Sequence, residues 1–268
     1  MEHITLHLLY SRFWHKFLYD IGVVPTKEPY QKRTSQGMIL GSTGEKMSKS
    51  RGNVVNPDDV INEYGADTLR IYEMFMGPFD QSASWSEDSI RGCFKFLDRV
   101  WNMQDILMDG DTYSPTFEKM MHKGIKKISE DIEEMKFNTS ISTFMTMINE
   151  FYKEKKINKA EFKTFLELLN PFAPHITEEI YEKLGFNTKI TDTTWPEYDK
   201  EKIVDDEIEI PVQVNGKVRA TITISKDEKE EIVKETAMKE ANVISSISDK
   251  QIIKEIYIPN KIYNIVVK

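Results

Sequence analysis

The 268-residue sequence predicts an α+β chain of two or three modest domains, too long for one small core. Three observations predict it. Apolar residues recur at a helical period through long segments between about residues 87 and 185. Beyond Glu207 the pattern changes to period two, with Asn215-Gly216 supplying the positive φ angles of a tight hairpin turn. Ahead of both, the short apolar element GMILG runs into a glycine-bounded loop rich in lysine and serine.

Each element follows from its residues. Ile4, Leu8, Leu9, Phe13, Phe17 and Leu18 sit at helical spacing, and Gly22 and Pro25 stop that helix. The amphipathic segment starts directly after Met1 without capping residues, as expected of a chain that is part of a larger one. After the loop, NPDDVINEYGADTLRIYEMFM reads as helix, turn, helix, with Asn56 as cap, Pro57 at the first helical position and Gly65 as stop. Ser86, Asp88 and Ser89 supply capping side chains for the first of four long helical segments, which together predict an antiparallel bundle. Pro171 and Pro174 interrupt the last of them. An acidic, periodless linker, TDTTWPEYDKEKIVDDE, leads to a tail read as ββαββ, whose second hairpin turns about Pro259-Asn260.

Composition narrows the function classes. The chain is 40% hydrophobic and 30% charged, as in ordinary soluble proteins. A net charge of -8 excludes coating nucleic acid through bulk charge, although a local basic groove remains open. Cys93 is the only cysteine, which rules out a disulfide within the chain and a multi-cysteine zinc site, and fits a reducing compartment. His3 and His7 share a helix face at i and i+4, but no cysteine or third histidine lies nearby, so no metal is expected. No apolar run reaches the roughly 18–20 residues that span a bilayer, and MEHITLHLLYSRFWHK places charge and histidine where a signal peptide is apolar. A soluble, cytoplasmic chain with no membrane partner is expected.

The chemistry concentrates in GSTGEKMSKSRGNVVNP, Gly41 to Pro57. Residues 32–51 hold five basic side chains, Lys32, Arg33, Lys46, Lys49 and Arg51, against the single acid Glu45. Lysines on a glycine-bounded loop can follow a phosphate chain as charge builds during phosphoryl or nucleotidyl chemistry, and Ser48 and Ser50 add hydroxyl donors. A solvated charged turn is the bland alternative. The G-x-x-x-x-G-K-[ST] spacing of a P-loop is absent.

The literal word KMSKS, Lys46 to Ser50, resembles the second signature motif of class I aminoacyl-tRNA synthetases. Its neighbours EHITLHLLYSRFWHKFLYDIGVVPTKEP, QGMILG, RGNVVNPDDVINEYGADTLRIYEMFMGP and VQVNGKVRATITI resemble, in order, the C-terminal part of that family's bacterial leucine-specific branch. The resemblance covers essentially the whole chain. It implies three regions: residues 1–86 as the end of a Rossmann-type catalytic domain with the KMSKS loop and a stem-contact region, 87–205 as an anticodon-binding-type bundle with its linker, and 206–268 as a tRNA-contacting tail.

It also implies roles. Lys46 and Lys49 would be catalytic through the ATP phosphates, with Met47, Ser48 and Ser50 in the same ATP-binding loop. Glu2 and His7 would line the adenylate pocket, and His15 would be structural. Lys217 and Arg219, just past the hairpin turn, would contact tRNA by shape rather than by base reading. Substrates of the whole enzyme would be leucine, ATP with Mg2+, and leucine tRNA. No His-x-Gly-His motif occurs among the five histidines. The first half of the catalytic fold, most of the leucine pocket and the editing domain would therefore lie in sequence upstream of Met1, and this chain alone would be catalytically incompetent. Scarce cysteine sets it apart from isoleucyl and many methionyl enzymes, and the tail from the coiled coil of valyl ones.

Other features have plainer readings. The lysine groups 123/126/127 and 153/155/156 are followed closely by acids and read as solvated faces. Trp101 reads as core, Trp195 as a pin for the linker, and Met38, Met74 and Met76 as core filler. Two alternatives stay open at this point: another branched-chain class I synthetase, and a non-catalytic helical RNA- or protein-interaction module in which KMSKS is a relic.

Overall fold

The computed structural model describes the chain apart from Met1, Asn187, Asp205, Asp206 and Asp249, and apart from the side chains of residues 2–7 and Glu207. It forms two compact units, Met1–Tyr198 and Asp199–Lys268. The boundary expected at residues 86 and 87 falls inside the first unit. Among the described residues, no helix is long and apolar enough to cross a membrane.

In the first unit, helix α1 (Glu2–Asp20) is followed by strand β1 (Ile39–Leu40), helices α2 (Pro57–Tyr64) and α3 (Ala66–Phe75) and strand β2 (Ala83–Ser84). Then come α4 (Glu87–Asn102), β3 (Leu107–Met108), α5 (Glu118–Glu133), α6 (Phe137–Glu154), β4 (Ile157–Asn158), α7 (Lys159–Leu169) and α8 (Pro174–Lys183). Strands β1 and β2 pair in parallel, as do β3 and β4. The expected helix over 86–108 is shorter than its pattern. It ends at Asn102, passes through a turn of 3-10 helix at Met103–Ile106, and closes with Leu107 pairing to Ile157. The expected last bundle helix is two, because Pro171 and Pro174 cannot donate to a continuous ladder.

One core serves α2 through α8, so Val60, Ile71 and Tyr72 share it with the bundle. Its centre is a file of edge-on rings: Phe117 on Phe151, Phe151 on Phe165, Phe165 on Phe144, Phe144 on Phe172, Phe172 on Phe137, with centroids 4.9–6.2 Å apart. A buried capping box starts α7. Asn158 accepts from the Glu161 N–H while the Glu161 carboxylate takes the Asn158 N–H, both at 2.9 Å. The other Glu161 oxygen accepts from the Ser114 N–H and hydroxyl, at 2.8 and 2.6 Å. Cys93 is fully buried, and burial pushes its thiol up to about 11.

Helix α1 departs from this economy. Leu9, Phe13 and Phe17 lie at helical spacing as expected, yet they are exposed, Phe13 to 71%, and so is the neighbouring Trp14. The chain beyond α1 folds back on its polar side, where Glu28 binds Arg12 and Lys16, and His15 Nε2 lies 2.7 Å from the Thr26 carbonyl. His15 is thus structural, and the Arg12 and Lys16 cations hold the Glu28 carboxyl down to about 2. Met38 is also exposed, a correction to its reading as core filler: two-residue strands leave its side chain lining a groove instead of a sheet interior. Met74 and Met76 do pack on the core.

The second unit is a four-stranded sheet of order β6-β5-β8-β7, with β5 (Glu207–Val214) and β8 (Ile262–Val267) parallel at its centre and β6 (Lys217–Ser225) and β7 (Ile252–Ile258) at its edges. The expected single helix is two short ones, α9 (Glu230–Ala237) and α10 (Ala241–Ile247), so the tail reads ββααββ and not ββαββ. The break lets Val233 and Ala237 from one helix and Val243 from the other reach the same core against Ile210, Val212, Tyr263 and Ile265.

Candidate functional site

The basic loop is held from below by a close backbone approach. Gly37 N–H donates to the Phe79 carbonyl at 2.7 Å, and a Cβ at this position would lie 1.7 Å from the Gln81 carbonyl oxygen. Only glycine lets the strand come so near. The Trp85 N–H then donates to the Leu40 carbonyl at 2.9 Å, fixing the residue from which the loop departs.

From there the loop folds on itself. Gly41 N–H donates to Glu45 at 2.8 Å, and Gly44, at φ +80°, donates to Gly41 at 2.9 Å. Lys49–Arg51 form a turn of 3-10 helix that ends on Gly52 at φ +63°. Asn53 ties the two limbs together. Its Oδ1 accepts the Ser48 N–H at 2.9 Å and its Nδ2 donates to the Lys46 carbonyl at 3.4 Å. Across the loop, Arg51 pairs with Glu45 at 3.0 Å. Asn56 then caps α2, accepting from the Asp58 N–H at 3.3 Å with Pro57 behind it, as the sequence predicts.

This leaves a defined chemistry. Lys46, Lys49 and Ser50 are exposed, and Met47 and Ser48 are half-buried. The one acid in the loop is occupied by Arg51, and neither lysine has a salt-bridge partner among the described residues. The Ser48 and Ser50 hydroxyls lie 3.2 Å apart. Two uncommitted ammonium groups and two hydroxyls on a backbone fixed by Asn53 suit an anion with several oxygens. Nearby, Asp59, Glu63 and Glu87 line a groove with Trp85, so a polyanion is favoured at the loop and not there. The donor set fits phosphate; among the described residues no group of three or more His, Cys, Asp or Glu side chains is arranged to hold a metal.

Asn53 was not among the residues that sequence reasoning selected. Its signal was the Gly-Asn pair that follows the lysines. Glu2 and His7 lie outside the described side chains. Lys217 and Arg219 are exposed at the start of β6, without a salt-bridge partner among the described residues. The Asn215-Gly216 turn before them has φ +50° and +76°. By contrast Lys126 pairs with Glu130 and Lys153 with Glu150, in keeping with solvated faces, whereas Lys127 reaches down to Asp131, which is buried. Trp101 lies under the Lys183 ammonium at 4.2 Å, and Trp195 Nε1–H donates to Ser129 at 2.8 Å, pinning the linker.

Residues 10–86 match the family model of class I tRNA synthetases (I, L, M and V), and residues 116–234 that of the anticodon-binding domain of tRNA ligase. The whole chain is 56% identical to a leucine–tRNA ligase of Alkaliphilus oremlandii (strain OhILAs), covering 33% of that protein. The chain is similar to class I tRNA synthetases, and along its whole length to a leucine–tRNA ligase. It spans about a third of the length of that curated relative. Among solved structures, the ternary complex of Agrobacterium radiobacter K84, agnB2 LeuRS-tRNA-LeuAMS, superposes on all of this chain and 37% of its own, at 31% identity and a TM-score of 0.76. The mixed α and β architecture therefore resembles that of part of a class I synthetase, and a match of this identity along the whole chain favours the leucine reading over the other branched-chain alternatives and over an unrelated interaction module.

Proposed function

We propose that this chain supplies the ATP-loop and tRNA-facing portions of an enzyme that activates leucine with ATP and transfers it to leucine tRNA. The observation that carries the reading is the pair of lysines, Lys46 and Lys49, left without acidic partners among the described residues on a loop whose backbone is otherwise pinned. ATP, used with Mg2+ in this family, would supply the polyphosphate. Lys49 would bear directly on its oxygens, Lys46 would help draw the loop over them, and the Ser48 and Ser50 hydroxyls would donate beside them. Such groups accelerate a reaction only when the nucleotide is already oriented by others. Glu2 and His7 are proposed for its adenylate side, Lys217 and Arg219 for tRNA.

The exposed apolar face of α1 supports placing residues 1–86 at the edge of a larger Rossmann-type domain, with Leu9, Phe13, Trp14 and Phe17 covered by the rest of that fold. The bundle, residues 87–205, would serve as the anticodon-binding-type domain and 206–268 as the tRNA-contacting tail, working in the cytoplasm. On this reading the chain by itself does not activate leucine.

The test joins these 268 residues to the upstream two-thirds of the Alkaliphilus oremlandii ligase and follows leucine-dependent ATP–pyrophosphate exchange. Lys49→Ala is expected to lower kcat by roughly 100-fold, the scale of one lost transition-state donor. Unchanged exchange in that variant, or exchange by the chain alone, overturns the reading. For the tail, filter binding of leucine tRNA across a salt series is expected to lose about one unit of log–log salt slope for each of Lys217→Ala and Arg219→Ala.

A further inference from the structure

Helix α8 begins without a cap of its own. Ala173 has no side-chain oxygen to offer and Pro174 no N–H, so the first free donors are the N–H groups of His175 and Ile176. Both are taken by Asp67, which comes from the first turn of α3, more than a hundred residues earlier. Asp67 Oδ2 accepts the Ile176 N–H at 2.7 Å. Its Oδ1 accepts the His175 N–H at 3.4 Å and the His175 Nδ1–H at 2.8 Å. The carboxylate is almost wholly buried, whereas the His175 ring is largely in solvent.

One turn further along α3, Arg70 performs the complementary task. Its Nη2 donates to the Pro171 carbonyl at 2.7 Å and its Nε to the Phe172 carbonyl at 3.2 Å, just beyond the end of α7. A single turn of α3 therefore satisfies the orphan carbonyls after one bundle helix and the orphan N–H groups of the next, with charges of the sign each helix end favours. The same helix reaches the loop. Tyr72 Oη accepts the Ser86 N–H at 2.7 Å, its ring lies edge-on to Trp85 at 4.9 Å, and the Trp85 N–H holds the Leu40 carbonyl where the loop departs.

We infer that Asp67 and Arg70 are positioning residues that fasten the KMSKS loop to the α7–α8 corner of the bundle, so that the placement of the two is set through α3. The contacts stand without any assignment of activity; that the loop positioned in this way serves ATP rests on the proposed function. Both residues act through others and touch no reacting atom.

Amide hydrogen exchange on the complete chain tests the inference without needing substrate. Asp67→Ala is expected to speed exchange about tenfold or more at His175 and Ile176, the loss of charged hydrogen bonds. The same variant is expected to speed it at Ser86, Trp85, Gly41 and Ser48, while Glu134 and Lys136, bonded at the α5–α6 turn, keep their rates. His175→Ala, which removes only an exposed ring, should give the same pattern at smaller amplitude and serves if Asp67→Ala does not fold. Acceleration confined to His175 and Ile176 would reduce Asp67 to a local cap. Equal acceleration everywhere, Glu134 and Lys136 included, would make it a global stability residue. Either overturns the fastening, and neither bears on whether Lys49 meets phosphate.

Discussion

Asn53 Oδ1 accepts the backbone N–H of Ser48 at 2.9 Å, so the side chain that shapes the basic loop comes from beyond its lysines. One amide thereby holds the two residues, Lys46 and Ser48, that flank Met47. Replacing Asn53 with alanine removes both bonds, worth about 1 kcal/mol in a partly exposed site. The Ser48 amide is then expected to exchange roughly fivefold faster through local opening of the loop, with the stability of the whole unit lowered by no more than about 1 kcal/mol. In the joined ligase the same variant is expected to lower kcat while leaving the leucine KM in place, because the pocket for leucine is not touched.

The turn of the tail is fastened in a comparable way. Asn215 donates through Nδ2 to the Val267 carbonyl at 3.0 Å and accepts the Val267 N–H at 2.9 Å, extending the parallel ladder by a side chain. Asn215→Ala should destabilise the second unit by about 1–2 kcal/mol, and Gly216→Ala by about 1 kcal/mol because alanine resists φ > 0. All four tryptophans precede residue 199, so indole fluorescence reports the first unit alone. The expected denaturant curves show the fluorescence transition unmoved and the exchange protection of β5 and β8 reduced.

Glu161 is the more sensitive position. It is 1% exposed, and its two oxygens serve the N–H and hydroxyl of Ser114 and the N–H of Asn158. Glu161→Ala leaves those donors buried without acceptors, and should cost about 3 kcal/mol or more in urea unfolding followed by tryptophan fluorescence. Glu161→Gln, which keeps acceptor capacity, should cost less.

Cys93 gives a pH prediction. Its thiol is buried and pushed up to about 11, so the folded chain holds this proton more tightly than the unfolded chain does. The stabilising contribution is present below the ordinary thiol range and is lost as pH rises through that range towards about 11. At pH 8 a thiol reagent should label Cys93 only after urea is added. Rapid labelling of the native chain would show the burial to be wrong.

Much of this architecture was legible in the residues. Asn56-Pro57, Gly65, Pro171, Pro174 and Asn215-Gly216 act through their own backbone geometry, and each ends or starts an element where its chemistry says it should. Where the reading missed, the decisive partner was remote. The helix over residues 86–108 stops at Asn102 because Leu107 pairs with Ile157, and the tail helix divides because two faces must reach one core. Asn53 was passed over because its importance lies in which backbone groups the folded loop brings to it.

The sequence by itself determined the resemblance to class I synthetases, the order of helical and strand-forming segments, and the basic loop with its lysines and serines, because periodicity, turn chemistry and a literal motif are local properties. The folded structure alone decided that Arg51 occupies Glu45 and leaves Lys46 and Lys49 without acidic partners among the described residues. It also decided that Asp67 caps a helix starting at Pro174 and that the apolar side of α1 stays uncovered in this chain. The last two depend on pairing groups distant in sequence and on what a face meets in space, which no window of neighbouring residues contains. The first depends on how the loop folds back on itself, which the window lists as residues but does not pair.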